Sequence, residues 1–362
     1  MSKSAAPANR RLPFRFRMHI DKNVLEIDAE AETRRLADWL RQAVRGKLRR
    51  RGCVVGISGG VDSAVVLGLC ARTFGPDQVL TLMLPDRDSS PESERLARAL
   101  AARFGVKPLL EDITKALDGF ACYGRRDEAI RRLFPEYDPA KGYLSKIVLP
   151  PDLLDGDTLN VFSVTIVRPD GSEASLPLPT AEFLQIVAAS NFKQRARMAM
   201  LYFHAELHHF AVIGTANKNE RQQGFFVKHG DAGVDCDPIA HLYKTQVYQL
   251  AEYLGVPEEI RQRTPTSDTY SAPCSQEEFF FRLPFATMDL LWWAHENGVP
   301  AREVSAVVSL APEQVERAFA DFASKQRMTE PLRQLPLVPS PAPATKRSGT
   351  RLEEPTDCLV AT

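Results

Sequence analysis

Residues 53–63, CVVGISGGVDS, decide the reading of the chain. The run 53–57 is short and apolar, so it reads as a buried strand, and the apolar stretch 64–74 reads as a helix that stops at Gly75 and Pro76. Between them lie two adjacent glycines, Gly59 and Gly60, which let the backbone turn tightly and approach a ligand closely. Such a turn aims main-chain N–H groups and the positive end of the next helix at one point. Gly56 ends the strand, and Ser58 and Ser63 add hydroxyl donors, so the loop is a cradle for pyrophosphate. It is not a Walker A loop, because GxxxxGK[ST] is absent. Asp62 would be unfavourable inside an anion cradle unless a cation accompanies the phosphates, and Mg²⁺, an oxygen-liganded ion that bridges phosphates, meets that need.

Outward from the loop the pattern alternates. Residues 30–50 form an amphipathic helix with Leu36, Trp39, Leu40 and Val44 on one face. A second strand is expected at 79–84 and a third at 108–111, with a helix at 91–104 capped by Ser90. Helix 191–208 precedes a further strand at 210–215. Unbroken apolar strands separated by helices imply an α/β fold with a doubly wound parallel sheet covered on both faces. The rhythm is interrupted at about 120–187, where extended runs at 159–167 and 174–178 flank Pro169-Asp170-Gly171, a hairpin signal. That inserted excursion is open to three readings: a lid, a dimer contact or a decoration. After Lys244 the chain reads as helices at 245–254, 276–297, 303–310 and 312–325, the last two a packed pair and not a cationic DNA-reading unit. The folded body spans 13–334, and residues 1–12 and the Pro-rich stretch 335–362 read as disordered ends.

Composition narrows the class. The 362 residues carry 46 Lys plus Arg against 46 Asp plus Glu, a formal net charge of zero, which argues against a general nucleic-acid binder. The 6 cysteines form no CxxC pair, the pattern of free thiols in a reducing compartment. No secretory signal or long apolar run is present, so a cytoplasmic location without a membrane is expected. His204 and His208 stand at i and i+4, but without HExxH or an evident third ligand they read as an ordinary pair on a helix.

SGGVDS resembles the PP-loop of the N-type ATP pyrophosphatases, a group with a Rossmann-like fold that splits ATP between its α- and β-phosphates to adenylate a substrate. Residues 213–246, IGTANKNERQQGFFVKHGDAGVDCDPIAHLYKTQ, are similar to the NAD synthetase stretch GT-x-x-x-x-E-x-x-x-G-[FY]-[FY]-x-K-x-GD-x-G-x-D followed by P and K-T. The resemblance covers most of 30–119, then 190–272 and, weakly, 300–336; the excursion at 120–187 and the stretch 276–297 lie outside it. It implies an ATP- and Mg²⁺-dependent amide-forming ligase that activates the carboxylate of deamido-NAD and aminates it with ammonia. Asp62 and Lys244 would be the catalytic residues and Asp62 and Glu220 would hold the metal. Gly56, Ser58, Gly59, Gly60, Ser63, Thr215, Lys244 and Thr266 would face the nucleotide, with Arg87 a further candidate. Arg197, Lys228 and Asp235 would face the acceptor.

On the residues alone, Thr215 ends a strand at the edge where ligands bind in open α/β sheets, and Glu220 follows close enough to share a cation with Asp62. Lys244 would neutralise charge on the phosphates. Only about 50 residues precede the loop, so free ammonia or a separate glutaminase is implied. The resemblance also suggests a homodimer. Two departures stand out. Asp86 and Asp88 replace residues of the family's M-P-[ST]-R-[YF]-[ST]-S segment, and Pro331-Leu332 stand where the family has a His-Lys or Tyr-Lys pair. The Pro331-Leu332 change, together with the excursion and the aromatic stretch 276–297, keeps a ligase for another carboxylic acid as an alternative. A tRNA-modifying adenylating enzyme is a more distant alternative, disfavoured by the neutral charge and scattered cysteines. A nucleotide sensor is disfavoured by Asp62, Glu220 and Lys244.

Overall fold

The computed structural model describes residues 20–150, 153–154, 161–266 and 269–339. The expectations for the first twelve residues and for most of the Pro-rich stretch fall outside these. Helix α1 (Ala29–Arg41) starts where the Asp28 side chain accepts from the Ala31 amide, and a π turn extends it through Lys47. Leu36 and Leu40 are buried along it, together with Val44 in the π turn, but Trp39 is 39% exposed. At about 100° per residue Trp39 lies at the edge of that stripe, so the expected four-residue face is corrected to a three-residue one.

Strand β1 (Cys53–Gly56) follows, then α2 (Val61–Phe74), β2 (Val79–Met83), α3 (Pro91–Arg103) and β3 (Pro108–Leu110). After α4 (Thr114–Gly119) and α5 (Cys122–Leu133) comes a separate sheet of β4 (Leu144–Val148), β5 (Ser163–Val167) and β6 (Glu173–Pro177). Helix α6 (Thr180–His208) then leads to β7 (Ala211–Ile213). The main sheet has the order β3-β2-β1-β7, all parallel. The winding therefore runs one way from β1 and returns on its other side, so β1 and β7 flank the point where ligands bind in such sheets. Both faces are covered, which is why β1 is apolar throughout. Cys53 and Val55 pack into the core under α1, α2 and α3, while Val54 packs into the core beneath α6.

The smaller sheet is antiparallel, and its β5–β6 hairpin turns where the expected Asp170-Gly171 pair lies, with Gly171 at φ +83°. Its edge strand β4 alternates in burial, but its residues, LSKIV, do not alternate between apolar and polar, so it was not legible in the sequence. Helix α6 begins eleven residues before the expected 191, directly after Pro179.

Beyond β7 lie α7 (Lys218–Gln223), α8 (Lys244–Tyr253), α9 (Glu258–Gln262), α10 (Phe285–Asn297), α11 (Ala301–Val308) and α12 (Pro312–Arg333). The single helix expected at 276–297 is in fact a π turn, Glu277–Phe281, and α10. Pro284 cannot continue a helical hydrogen-bond ladder, and Arg282 takes a left-handed conformation to end the first piece. Phe281, Phe285, Trp292, Val304, Val315 and Phe322 form the core of this helical region, so α11 and α12 are a packed pair. Cys53, Cys70, Cys122, Cys236 and Cys274 are buried and unbridged. No helix among the described residues is long and apolar enough to cross a membrane.

Leu67, fully buried on α2, has no exposed surface to relax into. Leu67→Ala should destabilise the fold by about 2–5 kcal/mol, read as a lower urea midpoint.

Candidate active site

The loop after β1 bends as its glycines require. Gly59 has φ +73°, and a Cβ there would meet the Ser93 carbonyl oxygen at 2.8 Å and the Leu96 Cβ at 2.9 Å. Only glycine fits the turn without moving α3. Ser63 Oγ donates to the Gly60 carbonyl at 3.0 Å and lies 3.5 Å from Ser58 Oγ, which closes the loop on itself. The first N–H groups of α2 have no partners within the helix and point toward this loop. Arg263, which the sequence reading did not single out, reaches across from beyond α9 and donates to Ser93 Oγ at 2.9 Å.

Asp62 sits in the first turn of α2. One of its oxygens accepts from Asn217 Nδ2 at 3.0 Å, and the other pairs with Lys244 Nζ. Lys244 is fully buried at the start of α8. Burial works against its ammonium, but Asp62 and Glu220 outweigh that effect and raise its pKa. Glu220 belongs to a capping box on α7: its side chain accepts from the Asn217 amide at 3.0 Å, while Asn217 Oδ1 accepts from the Glu220 amide at 3.1 Å. Burial, with nearby Asp62 adding to it, pushes the Glu220 carboxyl up to about 8. Asp231 is pushed up to about 6 by burial, although its Oδ1 accepts from the Val227 amide at 2.6 Å.

These groups line a cavity of about 880 Å³ at the carboxyl ends of the central strands. Among the sequence-predicted residues, Gly56, Ser58, Gly60, Asp62, Ser63, Arg197, Thr215, Glu220, Lys244 and Thr266 all border it. Gly59 lies behind them in the turn. Three candidates are engaged elsewhere. Arg87 stacks over the Tyr123 ring at 3.7 Å and pairs with Asp127 at 3.2 Å. Lys228 donates to the carbonyls of Pro331 and Gln334 at 3.1 and 3.0 Å, fastening the end of α12. Asp235 accepts from the Val212 amide at 2.9 Å and from the Tyr202 hydroxyl at 3.1 Å, bracing β7. His204 lies 3.1 Å from Glu111.

The site suits a phosphate-bridging divalent cation. Asp62 and Glu220 both border the cavity and are close enough for Asp62 to add to burial in raising the Glu220 pKa. Two carboxylates are the number Mg²⁺ commonly takes when phosphates and waters complete its shell.

Asn217 and Asp289 were missed in the sequence. Asn217 carried a legible signal, an Asn three residues before Glu. Asp289 carried none: it lies on α10, yet its carboxylate accepts from the Thr245 amide at 2.7 Å and from Asn219 at 2.5 Å. It thereby caps α8 next to Lys244. Burial pushes Asp289 up to about 6. A carboxyl raised in this way favours the folded state below its unfolded value near pH 4, and that benefit is lost as pH rises through about 6. The loss should be on the order of 3 kcal/mol. Asp289→Asn should remove that part of the pH dependence, read as the difference between wild-type and variant urea midpoints from pH 4 to pH 7. Parallel profiles would contradict it.

The family model for NAD synthase matches residues 32–131 and 173–330. The match runs through α10, so the segment 276–297, read from the sequence as lying outside the resemblance, is part of the matched region. The chain is 49% identical over 315 residues to the NH(3)-dependent NAD(+) synthetase of Mesorhizobium japonicum, covering 87% of this chain and 98% of that protein. It is 46% identical over 329 residues to the protein of the same name from Rhizobium meliloti, covering 91% of this chain and 97% of that one. The solved NH3-dependent NAD synthetase from Campylobacter jejuni shares the fold, with a TM-score of 0.55 at 22% identity over 87% of this chain and 100% of that chain. With the glycine loop, the buried Asp62–Lys244 pair and Glu220 at one cavity, these matches establish that the chain belongs to the NAD synthase family.

Proposed function

We propose that the chain is an ammonia-dependent carbon–nitrogen ligase that converts deamido-NAD, ATP and ammonia into NAD, AMP and pyrophosphate. The observation that carries this reading is the pair of buried Lys244 and half-buried Asp62 beside Glu220, at the glycine loop and on one cavity with it. The loop and the first turn of α2 bind the ATP phosphates through N–H groups and the Ser58 and Ser63 hydroxyls. An oxygen of the acceptor carboxylate attacks the α-phosphorus, the bond to the bridging oxygen of the β-phosphate breaks, and pyrophosphate leaves. Lys244 stabilises the negative charge that gathers on the phosphates during this step. Ammonia then attacks the carbonyl carbon of the acyl adenylate, AMP departs with the former carboxylate oxygen, and the nitrogen loses a proton to leave the amide. Mg²⁺, held by Asp62 and Glu220, would neutralise phosphate charge and orient the pyrophosphate leaving group.

A homodimer is part of this reading. Ala199, Phe203 and Leu207 follow one another at i, i+4 and i+8 on α6 and are exposed, Phe203 at 56% and Leu207 at 65%. An apolar stripe of this kind marks a protein contact. Phe203→Glu combined with Leu207→Glu should convert a dimer to a monomer in sedimentation.

The reaction is tested by incubating the purified chain with deamido-NAD, ATP, ammonium and Mg²⁺. Equal amounts of NAD, AMP and pyrophosphate are expected, and none with a chelator in excess. ADP and phosphate as products, or no amide, would refute the adenylation. Lys244→Met should lower kcat by about a hundredfold or more, the scale of losing one preorganised charge-stabilising group.

A further inference from the structure

The connection between β2 and α3 carries Asp86 and Asp88, the two residues that depart from the family segment, and both are buried in an ion network beside the cavity. The Asp86 side chain has no exposed surface. Its Oδ2 accepts from an Arg197 terminal nitrogen at 2.9 Å, and its Oδ1 accepts from Lys193 Nζ at 3.1 Å and from the Tyr123 hydroxyl at 3.3 Å. Lys193, also buried, donates to Asp88 at 2.6 Å and to the Thr269 carbonyl at 3.1 Å. Asp88 in turn pairs with Arg126 of α5 at 2.5 Å, and Arg126 pairs with Asp127 at 2.9 Å. The network contains Arg87, Arg126, Lys193 and Arg197 against Asp86, Asp88 and Asp127, so one positive charge is unmatched.

Arg197 is the member of this network that borders the cavity with its side chain still 17% exposed. Its Nε donates to the Leu84 carbonyl at 3.0 Å, and one terminal nitrogen is committed to Asp86. A guanidinium has five donors in a rigid plane, so fixing two of them fixes the direction of the rest. We propose that Asp86 is a positioning residue that aims Arg197 at an anionic group of the acceptor. This rests on the reading of Arg197 as an acceptor contact in the ligase proposed above. Without the Asp86 carboxylate, Arg197 would lose its orienting partner and would stand beside Lys193 with no anion between them.

The test uses the full chain with Asp86→Asn, Arg197→Met and the double variant. Asp86→Asn should raise the deamido-NAD KM by about tenfold or more, the scale of losing one charged hydrogen bond, while the ATP KM changes less than about twofold. On the Arg197→Met background it should add almost nothing, because the residue it acts through is gone. If Asp86→Asn does not fold, Asp86→Glu, which keeps the charge, is expected to fold and to show a smaller rise in the same KM. Calorimetric titration with deamido-NAD reads binding without turnover. Wild type that binds but forms no NAD faults the reaction alone. Equal binding by wild type and Asp86→Asn, a change in melting temperature only, or an undiminished effect on the Arg197→Met background would overturn the positioning role. A wild type that does not bind deamido-NAD would overturn both.

Discussion

The fold's central constraint is the ion pair between Asp62 and Lys244. A fully buried ammonium is costly unless a carboxylate faces it and hydrogen bonds satisfy the rest of the pair. Here the carboxylate comes from the first turn of α2, its second oxygen is held by Asn217 just before α7, and the lysine opens α8. Three helices from distant parts of the chain must therefore end at one point, the carboxyl edge between β1 and β7. The constraint reaches further through Asp289, which caps α8 from within the C-terminal helices. Those helices have their own core, so the cap couples that core to the parallel sheet.

Charge is distributed unevenly around the cavity. On one side Asp62, Glu220 and Asp231 stand around Lys244, and burial raises the Glu220 and Asp231 pKa values, with Asp62 adding to the effect at Glu220. On the other side the network around Asp86 presents the Arg197 guanidinium to the cavity. In the proposed reaction the first wall would meet the anion accompanied by a divalent cation, and Arg197 would meet the second anion directly. That division matches a ligase which must bring a metal-bound triphosphate and a second anionic substrate together without placing both against the same charges.

The parallel sheet was legible because its strands are unbroken apolar runs between helices, and the nucleotide side of the site was legible because SGGVDS combines glycine, hydroxyl and carboxylate at fixed spacing. Glu220 and Lys244 followed from the second motif. The network around Asp86 was not legible: its members lie at 86, 87, 88, 126, 127, 193 and 197, and only folding brings them together. Lys228 and Asp235 illustrate the opposite limit. The resemblance implies that they contact the acceptor, yet their side chains are engaged with the backbone of α12 and β7. The break at Arg282 was missed because the flanking phenylalanines keep a helical rhythm, and Pro284 was the signal that could have revealed it.

The excursion was left open in the sequence between lid, contact and decoration, and its hydrogen bonds narrow the choice. The Ala272 amide donates to the Ser145 carbonyl at 3.1 Å, the Ser145 amide donates to Ser271 Oγ at 2.9 Å, and Arg282 donates to the Pro150 carbonyl at 2.6 Å. Strand β4 is thus fastened along the segment that carries Tyr270, Gln276 and Phe279 to the cavity wall. Phe162, next to β5, stacks on Phe183 with ring centroids 5.0 Å apart and lies 6.1 Å from Phe279. Side chains packed this closely support one another along the wall. Residues 132–172 fall outside the family match, yet Ile147 and Phe162 from that span border the same cavity as the glycine loop. The insertion is therefore a structural part of the cavity wall, and it contributes apolar surface where the loop contributes charge.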